Sequence, residues 1–313
     1  YSTICDNNSI DLKQSFSLTL NKLKQNSIHV ACIFNKIEFL SFAWSYLSDC
    51  RYVFTLKDSC YKEPLHHACQ NGNKESVKWL IEHIDILKID SLKIGDWTPM
   101  MLAVVCKSAN ENVIIEIVKI LIEQNCNLQL INKDGWTAFH LSCRTLNFQI
   151  IKLLGSLNPN CCILPSKNGR TPLHTSCLHG NIDAVMYLVG NLYHNVNITD
   201  NCGISPLMDS LIGNHSNVSK WLLDNSNANI NLFDKLGRHT IHVVCEAGQL
   251  ESVKFILERF PELIECQTSV EKRTPLLSAA KMKHEKIVGY LLSVGADKSF
   301  QDWRGRNFDE FLK

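Results

Sequence analysis

Residues 169–180 read Gly169-Arg170-Thr171-Pro172-Leu173-His174-Thr175-Ser176-Cys177-Leu178-His179-Gly180, and the fold is read outward from them. Gly169 frees a turn from the usual limits on φ. Thr171 has the side chain of a helix N-cap, and Pro172 takes the first helical position, where its missing N–H costs nothing. Leu173 opens an apolar stripe. Ser176 and Cys177 are small enough for a neighbouring helix to come close, and Gly180 stops the helix. Ile182, Val185, Leu188 and Val189 then recur at helical spacing, which predicts a second helix.

The unit recurs. Aligned on Pro172, it has anchors at Ser27, Pro64, Pro99, Ala138, Pro172, Pro206, Thr240, Pro275 and Phe308, with steps of 37, 35, 39, 34, 34, 34, 35 and 33 residues. The 39-residue step has an inserted inter-helix loop over residues 106–112. Thr171-Pro-Leu-His174 is the signature of the ankyrin repeat, whose period is about 33 residues. The chain resembles that family, and the resemblance implies an all-α fold, an ankyrin-repeat solenoid of about nine helix-turn-helix units with hairpin loops. In such a stack each repeat buries apolar surface only against its neighbours, and partners bind along the inner helices and hairpins. Residues 1–25 are expected as an N-terminal segment, with a degenerate-repeat helix over residues 10–24 carrying Leu12, Phe16, Leu18, Leu20 and Leu23. Residues 26–313 are expected as the ankyrin repeat domain. Its last unit is partial or capping, with Phe308 and Phe311 on the core and Asp309, Glu310 and Lys313 in water.

Bulk composition narrows the function. Hydrophobic residues make up 45% and charged ones 20% of the 313, which is globular. A formal net charge of +1 argues against direct nucleic-acid binding, which usually needs a marked basic excess. No apolar run reaches membrane-spanning length. The chain begins at Tyr1 with no leader pattern and is expected to be a partial chain. Of fourteen cysteines, Cys32, Cys69, Cys143, Cys177 and Cys245 each stand five residues after an anchor, in what should be a small buried slot. No C-x-x-C pair suggests zinc or redox chemistry. Reduced thiols point to the cytoplasm or nucleus, and a monomer is expected.

Histidine recurs two residues after five anchors, as His29, His66, His140, His174 and His242. One histidine per repeat makes a ladder and not a metal cluster, so these are expected to hydrogen-bond backbone between loops. No phosphate-cradling loop, nucleophile elbow or H-E-x-x-H helix occurs, and neither cofactor, metal nor intrinsic catalysis is expected. Trp97 and Trp136 are more informative, each immediately before a helix-capping threonine. They either pack over the next loop or stand exposed as binding anchors. Lys93, Lys133 and Lys167 lie in the same loops.

Several non-consensus segments add a narrower resemblance. Leu92-Lys-Ile-Gly-Asp-Trp-Thr-Pro-Met-Met101, Asn132-Lys-Asp-Gly-Trp136, Arg170-Thr-Pro-Leu-His-Thr175, Asp200-Asn-Cys-Gly203 with Leu207-Met-Asp209, and Leu291-Leu-Ser-Val-Gly-Ala-Asp297 are similar, in order and register, to ankyrin-repeat co-regulators of alanyl-tRNA synthetase. The resemblance spans roughly residues 26 to 302. It implies a non-enzymatic partner of the synthetase catalytic domain that takes misactivated serine onto lysine side chains before it reaches tRNA. Of the three acceptors expected in that family, one falls on Lys133. A second falls on Ile94, beside Lys93, and the third near Ile163, with Lys167 four residues on. Trp97 and Trp136 would neighbour the acceptors at the interface. The alternative is a scaffold or adaptor for an unrelated protein partner.

Overall fold

The computed structural model describes residues 21–48, 50–191 and 195–311. The helical positions Leu12, Phe16, Leu18 and Leu20, and also Lys313, lie outside them. Every anchor is the first residue of a helix. The inner helices are α1 (Ser27–Ile33), α3 (Pro64–Asn71), α5 (Pro99–Val104), α7 (Ala138–Thr145), α9 (Pro172–Leu178), α11 (Pro206–Ile212), α13 (Thr240–Glu246), α15 (Pro275–Lys281) and α17 (Phe308–Phe311). The outer helices between them are α2 (Ile37–Tyr46), α4 (Lys74–His83), α6 (Glu111–Glu123), α8 (Phe148–Leu157), α10 (Ile182–Asn191), α12 (Ser216–Asn225), α14 (Leu250–Arg259) and α16 (Glu285–Ser293). Extended pairing among the described residues is limited to two isolated bridges, Lys93 with Trp97 and Phe233 with His239. The fold is all-α.

The inner helices start where their caps dictate. Thr98 Oγ1 accepts the Met101 N–H at 3.2 Å, and Ser205 Oγ accepts that of Met208 at 3.2 Å. Each cap satisfies a first-turn N–H that has no partner within its helix. Pro64, Pro99, Pro172, Pro206 and Pro275 occupy the first helical positions.

The chain divides into two compact units, Tyr1–Cys161 and Cys162–Lys313. In the first, inner helices pack α1 on α3 on α5 on α7, and outer helices α2 on α4 on α6 on α8. In the second, the inner row is α9 through α17, and α10 packs on α12 and α14 on α16 in the outer row. Cys32, Cys69, Cys143, Cys177 and Cys245 are all fully buried in the inner-helix slot, none of them in a disulfide. Cys161 and Cys162 are buried on a 3-10 turn, Pro159–Cys162. At the far end Phe308 is buried and Phe311 half-buried, while Asp309 and Glu310 face water.

Two local expectations change, at residues 21–24 and in the inserted loop. Residues 21–24 form a turn and not the end of a helix: Asn21 Oδ1 accepts the Leu23 and Gln25 N–H groups, and Leu23 is exposed. They belong to the first hairpin. In α2 the packing face is Leu40 and Ala43, continued by Leu47, whereas Phe42 points outward and stacks on Tyr46 at 5.9 Å. The inserted loop ends at Asn110, because its side chain accepts the Val113 N–H at 3.0 Å and starts α6 there. The loop lies against the end of α3. Gly72 turns at φ +70°, and a Cβ there would come within 2.4 Å of the Ala109 Cβ and 3.1 Å of the Cys106 Sγ.

Candidate functional site

One hairpin precedes each inner helix, and all are closed alike except the one before Pro275, where the donor to Arg273 O is Thr268, seven residues before the anchor. The N–H six residues before the anchor donates to the carbonyl two residues before it, at 3.1 Å from Lys93 to Trp97 and 2.9 Å from Asn132 to Trp136. Where the first position is Asp or Asn, one side-chain oxygen also takes two loop N–H groups. Asp58 Oδ1 accepts from Cys60 and Lys62, and Asn132 Oδ1 from Asp134 and Trp136. These side chains hold the turn as an Asx-turn does. Consecutive hairpins are tied tip to tip: in the first unit Ile94 N–H donates to Cys60 O at 3.0 Å and Lys133 N–H to Gly95 O at 2.9 Å.

The histidines join hairpins to helices. Nδ1 of His66 and of His174 accepts the N–H of its own helix cap at 3.1 Å. On the other side Nε2 donates across repeats, from His29 to Lys62 O at 3.1 Å, from His66 to Ser91 O at 3.0 Å and from His174 to Ile204 O at 3.0 Å. A donor facing Nδ1 and an acceptor facing Nε2 select the neutral Nε2–H tautomer. Burial accordingly lowers the pKa of His29, His66, His174 and His242 to about 4. With both nitrogens of His66 and His174 committed, the ladder is structural, as the spacing predicts.

The position two residues before the anchor separates the units. In the second unit it is Arg170, Ile204, Arg238, Arg273 and Arg306. Arg170 pairs with Asp200 at 3.2 Å and Asp209 at 2.6 Å, Arg238 with Asp234 and Glu246 at 2.6 Å each, Arg273 with Glu246 at 3.1 Å, and Arg306 with Asp302 at 2.6 Å. In the first unit it is Gln25, Lys62, Trp97 and Trp136.

Both tryptophans are half-buried, so packing and exposure each describe part of the ring. Trp136 tilts against His140 with ring centres 5.9 Å apart. The Trp97 ring lies 5.3 Å from the Lys93 ammonium. Lys93 is half-buried and donates to Ile94 O at 3.2 Å; burial, and then the like charge of Lys62, lower its pKa. Lys133 is exposed on the next hairpin. The first unit thus brings Lys93, Trp97, Lys133 and Trp136 together on hairpins joined by the Lys133–Gly95 bond. Lys167 belongs to the second unit, exposed, with its carbonyl accepting from Asn201 Nδ2 at 2.9 Å. Ile94 and Ile163, at the remaining acceptor positions of the resembled family, are exposed apolar surface.

Sequence reasoning passes over Lys62 and the arginine pairs of the second unit. The signal was present, since the anchor register aligns Lys62 with Arg238. Which carboxylate meets which cation depends on stacking.

Repeated capped helix pairs tied by hairpins and histidines define a protein-binding repeat scaffold. The family model for ankyrin repeats (three copies) matches residues 28–114, 106–200, 155–234, 191–264 and 228–302, and the chain belongs to the ankyrin-repeat family. Among curated proteins it is similar to the ankyrin repeat protein FPV223 of Fowlpox virus (strain NVSL), with 26% identity over 129 residues, 41% of this chain and 82% of that protein.

Proposed function

We propose that the hairpin edge of the first unit, from Lys93 to Trp136, is the surface on which this scaffold holds a protein partner. The observation that carries the reading is the pair of half-exposed tryptophans at a register position that the second unit, except at Ile204, fills with ion-paired arginines. Tryptophan gives large contact area at low entropic cost and dominates binding hot spots.

The resemblance assigns alanyl-tRNA synthetase as the partner, and one observation favours serine capture. Lys93 is partly desolvated beside Trp97, which enlarges its neutral, nucleophilic fraction relative to a free lysine. In capture the neutral amine attacks the seryl carbonyl of the mixed anhydride. A C–N bond forms, the C–O bond to phosphate breaks, AMP leaves and the amine loses a proton to solvent. The amide is stable, so each lysine acts once. The reading places Lys93 ahead of exposed Lys133, with Lys167 third.

Mixing the full chain with alanyl-tRNA synthetase, serine and ATP tests both levels. Trp97→Ala and Trp136→Ala should each weaken capture of the synthetase about tenfold or more, since a hot-spot tryptophan contributes about 2 kcal/mol. Trp221→Ala, in the second unit, should not. Seryl-lysine mapped by mass spectrometry should concentrate on Lys93 and Lys133. Absence of a complex removes the synthetase as partner; a complex without adduct removes capture alone.

A further inference from the structure

The second and third repeats enclose a cleft of about 340 Å³, lined by Gln70, Lys93, Trp97, Val105, Lys107 and Ser108 among others. No carboxylate is among its lining residues. Lys62 reaches it through Gln70, donating from Nζ to Oε1 at 2.5 Å.

The repeat register shows what this cleft has lost. Lys62 stands two residues before its anchor and Gln70 six residues after it. In the seventh repeat the same positions are Arg238 and Glu246, paired at 2.6 Å. The second repeat keeps the cation and replaces the carboxylate by an amide. One hairpin on, Lys93 occupies the position of Asp234 and Asp302, each of which binds the arginine of its own hairpin at 2.6 Å. Here the facing residue is Trp97. Internal counter-charge is removed twice in adjacent repeats, and Lys107 of the inserted loop adds a third ammonium. Among the described residues none of the three is in an ion pair. Asp58, which acts on Lys93 at longer range, spends its oxygens on the Cys60 and Lys62 N–H groups, His67 and Gln25.

We propose that this cleft receives an acidic segment of the partner protein, whose carboxylates take the place of the missing internal counter-charges at Lys62, Lys93 and Lys107 while Trp97 packs against their aliphatic part. The inference rests on the reading of this edge as protein-binding, and not on serine capture. Carboxylates in the cleft favour the charged form of Lys93.

The test is fluorescence anisotropy of a fluorescein-labelled octaglutamate peptide with the full chain. Binding should weaken with added salt. Lys62→Gln and Lys93→Gln should each weaken it about tenfold, as loss of a charge-assisted contact does. Lys235→Gln, on a second-unit hairpin, should leave it unchanged. The decisive variant is Gln70→Glu, which restores the seventh repeat's pairing. It should weaken peptide binding about tenfold while the melting temperature holds or rises, because Lys62 then has an internal partner. Unchanged affinity in Gln70→Glu, or equal binding of octaglutamine, overturns the proposal. Tighter binding of a single-stranded RNA of the same charge overturns it in favour of nucleic acid. Tryptophan-dependent synthetase capture without peptide binding sinks the cleft and spares the edge; peptide binding without such capture keeps the cleft and removes the synthetase as the partner.

Discussion

At the residue scale, a single backbone position repeats with one conformation and two chemistries. Three residues before every anchor the chain is left-handed: glycine at 135, 169, 203, 237 and 305, but Lys24, Tyr61, Asp96 and Lys272 in the other four hairpins, with φ between 55° and 61°. A side chain with Cβ pays about 1–2 kcal/mol there, partly offset by the entropy a glycine would lose. Lys272 is exposed, so Lys272→Gly removes little contact and should stabilise the chain by about 0.5–1 kcal/mol in urea unfolding. The reverse change at Gly169 (φ +74°) should be costly. Its Cβ would stand 2.6 Å from the Asn201 Oδ1 and 2.9 Å from its N, so Gly169→Ala should destabilise by about 1–3 kcal/mol. A destabilised Lys272→Gly would show that loop contacts, not φ, set the balance.

At the scale of the element, the inner helices are short and would be marginal alone. They persist because caps satisfy their first turns and because small residues let neighbouring helices approach. The slot five residues after the anchor shows the second effect. Cys177 is fully buried between flanking repeats, so Cys177→Leu adds volume where none is free and should cost about 1–3 kcal/mol. Cys177→Ala, which leaves only a small void, should cost less. Thermal melts of the two variants check the order. Equal loss would mean that the slot is not sterically limited. Burial also pushes the thiols of Cys32, Cys69 and Cys245 up, away from the reactive thiolate, so a repeated cysteine here is packing and not chemistry.

For the molecule as a whole, the buried imidazoles set an acid limit. His29, His66, His174, His239 and His242 have folded pKa values of about 4, against about 6.5 in an unfolded chain. Between those values the unfolded chain binds protons that the folded chain refuses. Their stabilising contribution is therefore complete above about pH 6.5, falls as pH drops toward 4, and does not change further below it. Asp209 runs the other way. Burial raises its pKa to about 7 against the pull of Arg170, so its folded form holds a proton as pH falls. We expect the Arg170 bond at 2.6 Å to keep it more ionised than burial alone implies. Burial also raises Glu63 and Glu265, but three carboxyls do not offset five imidazoles, and the melting temperature should drop steadily from pH 7 to pH 4.5. A flat profile over that range would show that the histidines titrate normally.

The sequence determined the repeat. Turn chemistry, caps and the small slot act within a few residues of one another, so nine anchors, the cysteine slot and the histidine ladder could be read from spacing alone. It also pointed to Trp97 and Trp136 as departures from consensus. Three things depended on tertiary structure. The reach of the first hairpin back to Asn21 came from loop hydrogen bonds where an apolar pattern suggested helix. The outward turn of Phe42 came from which face of α2 its neighbours cover. The open cleft at Lys93 came from charges that are local in space and distant in sequence. Lys62, Gln70, Lys93 and Lys107 span two repeats, and only the stacking of those repeats shows that no carboxylate of the cleft stands among them.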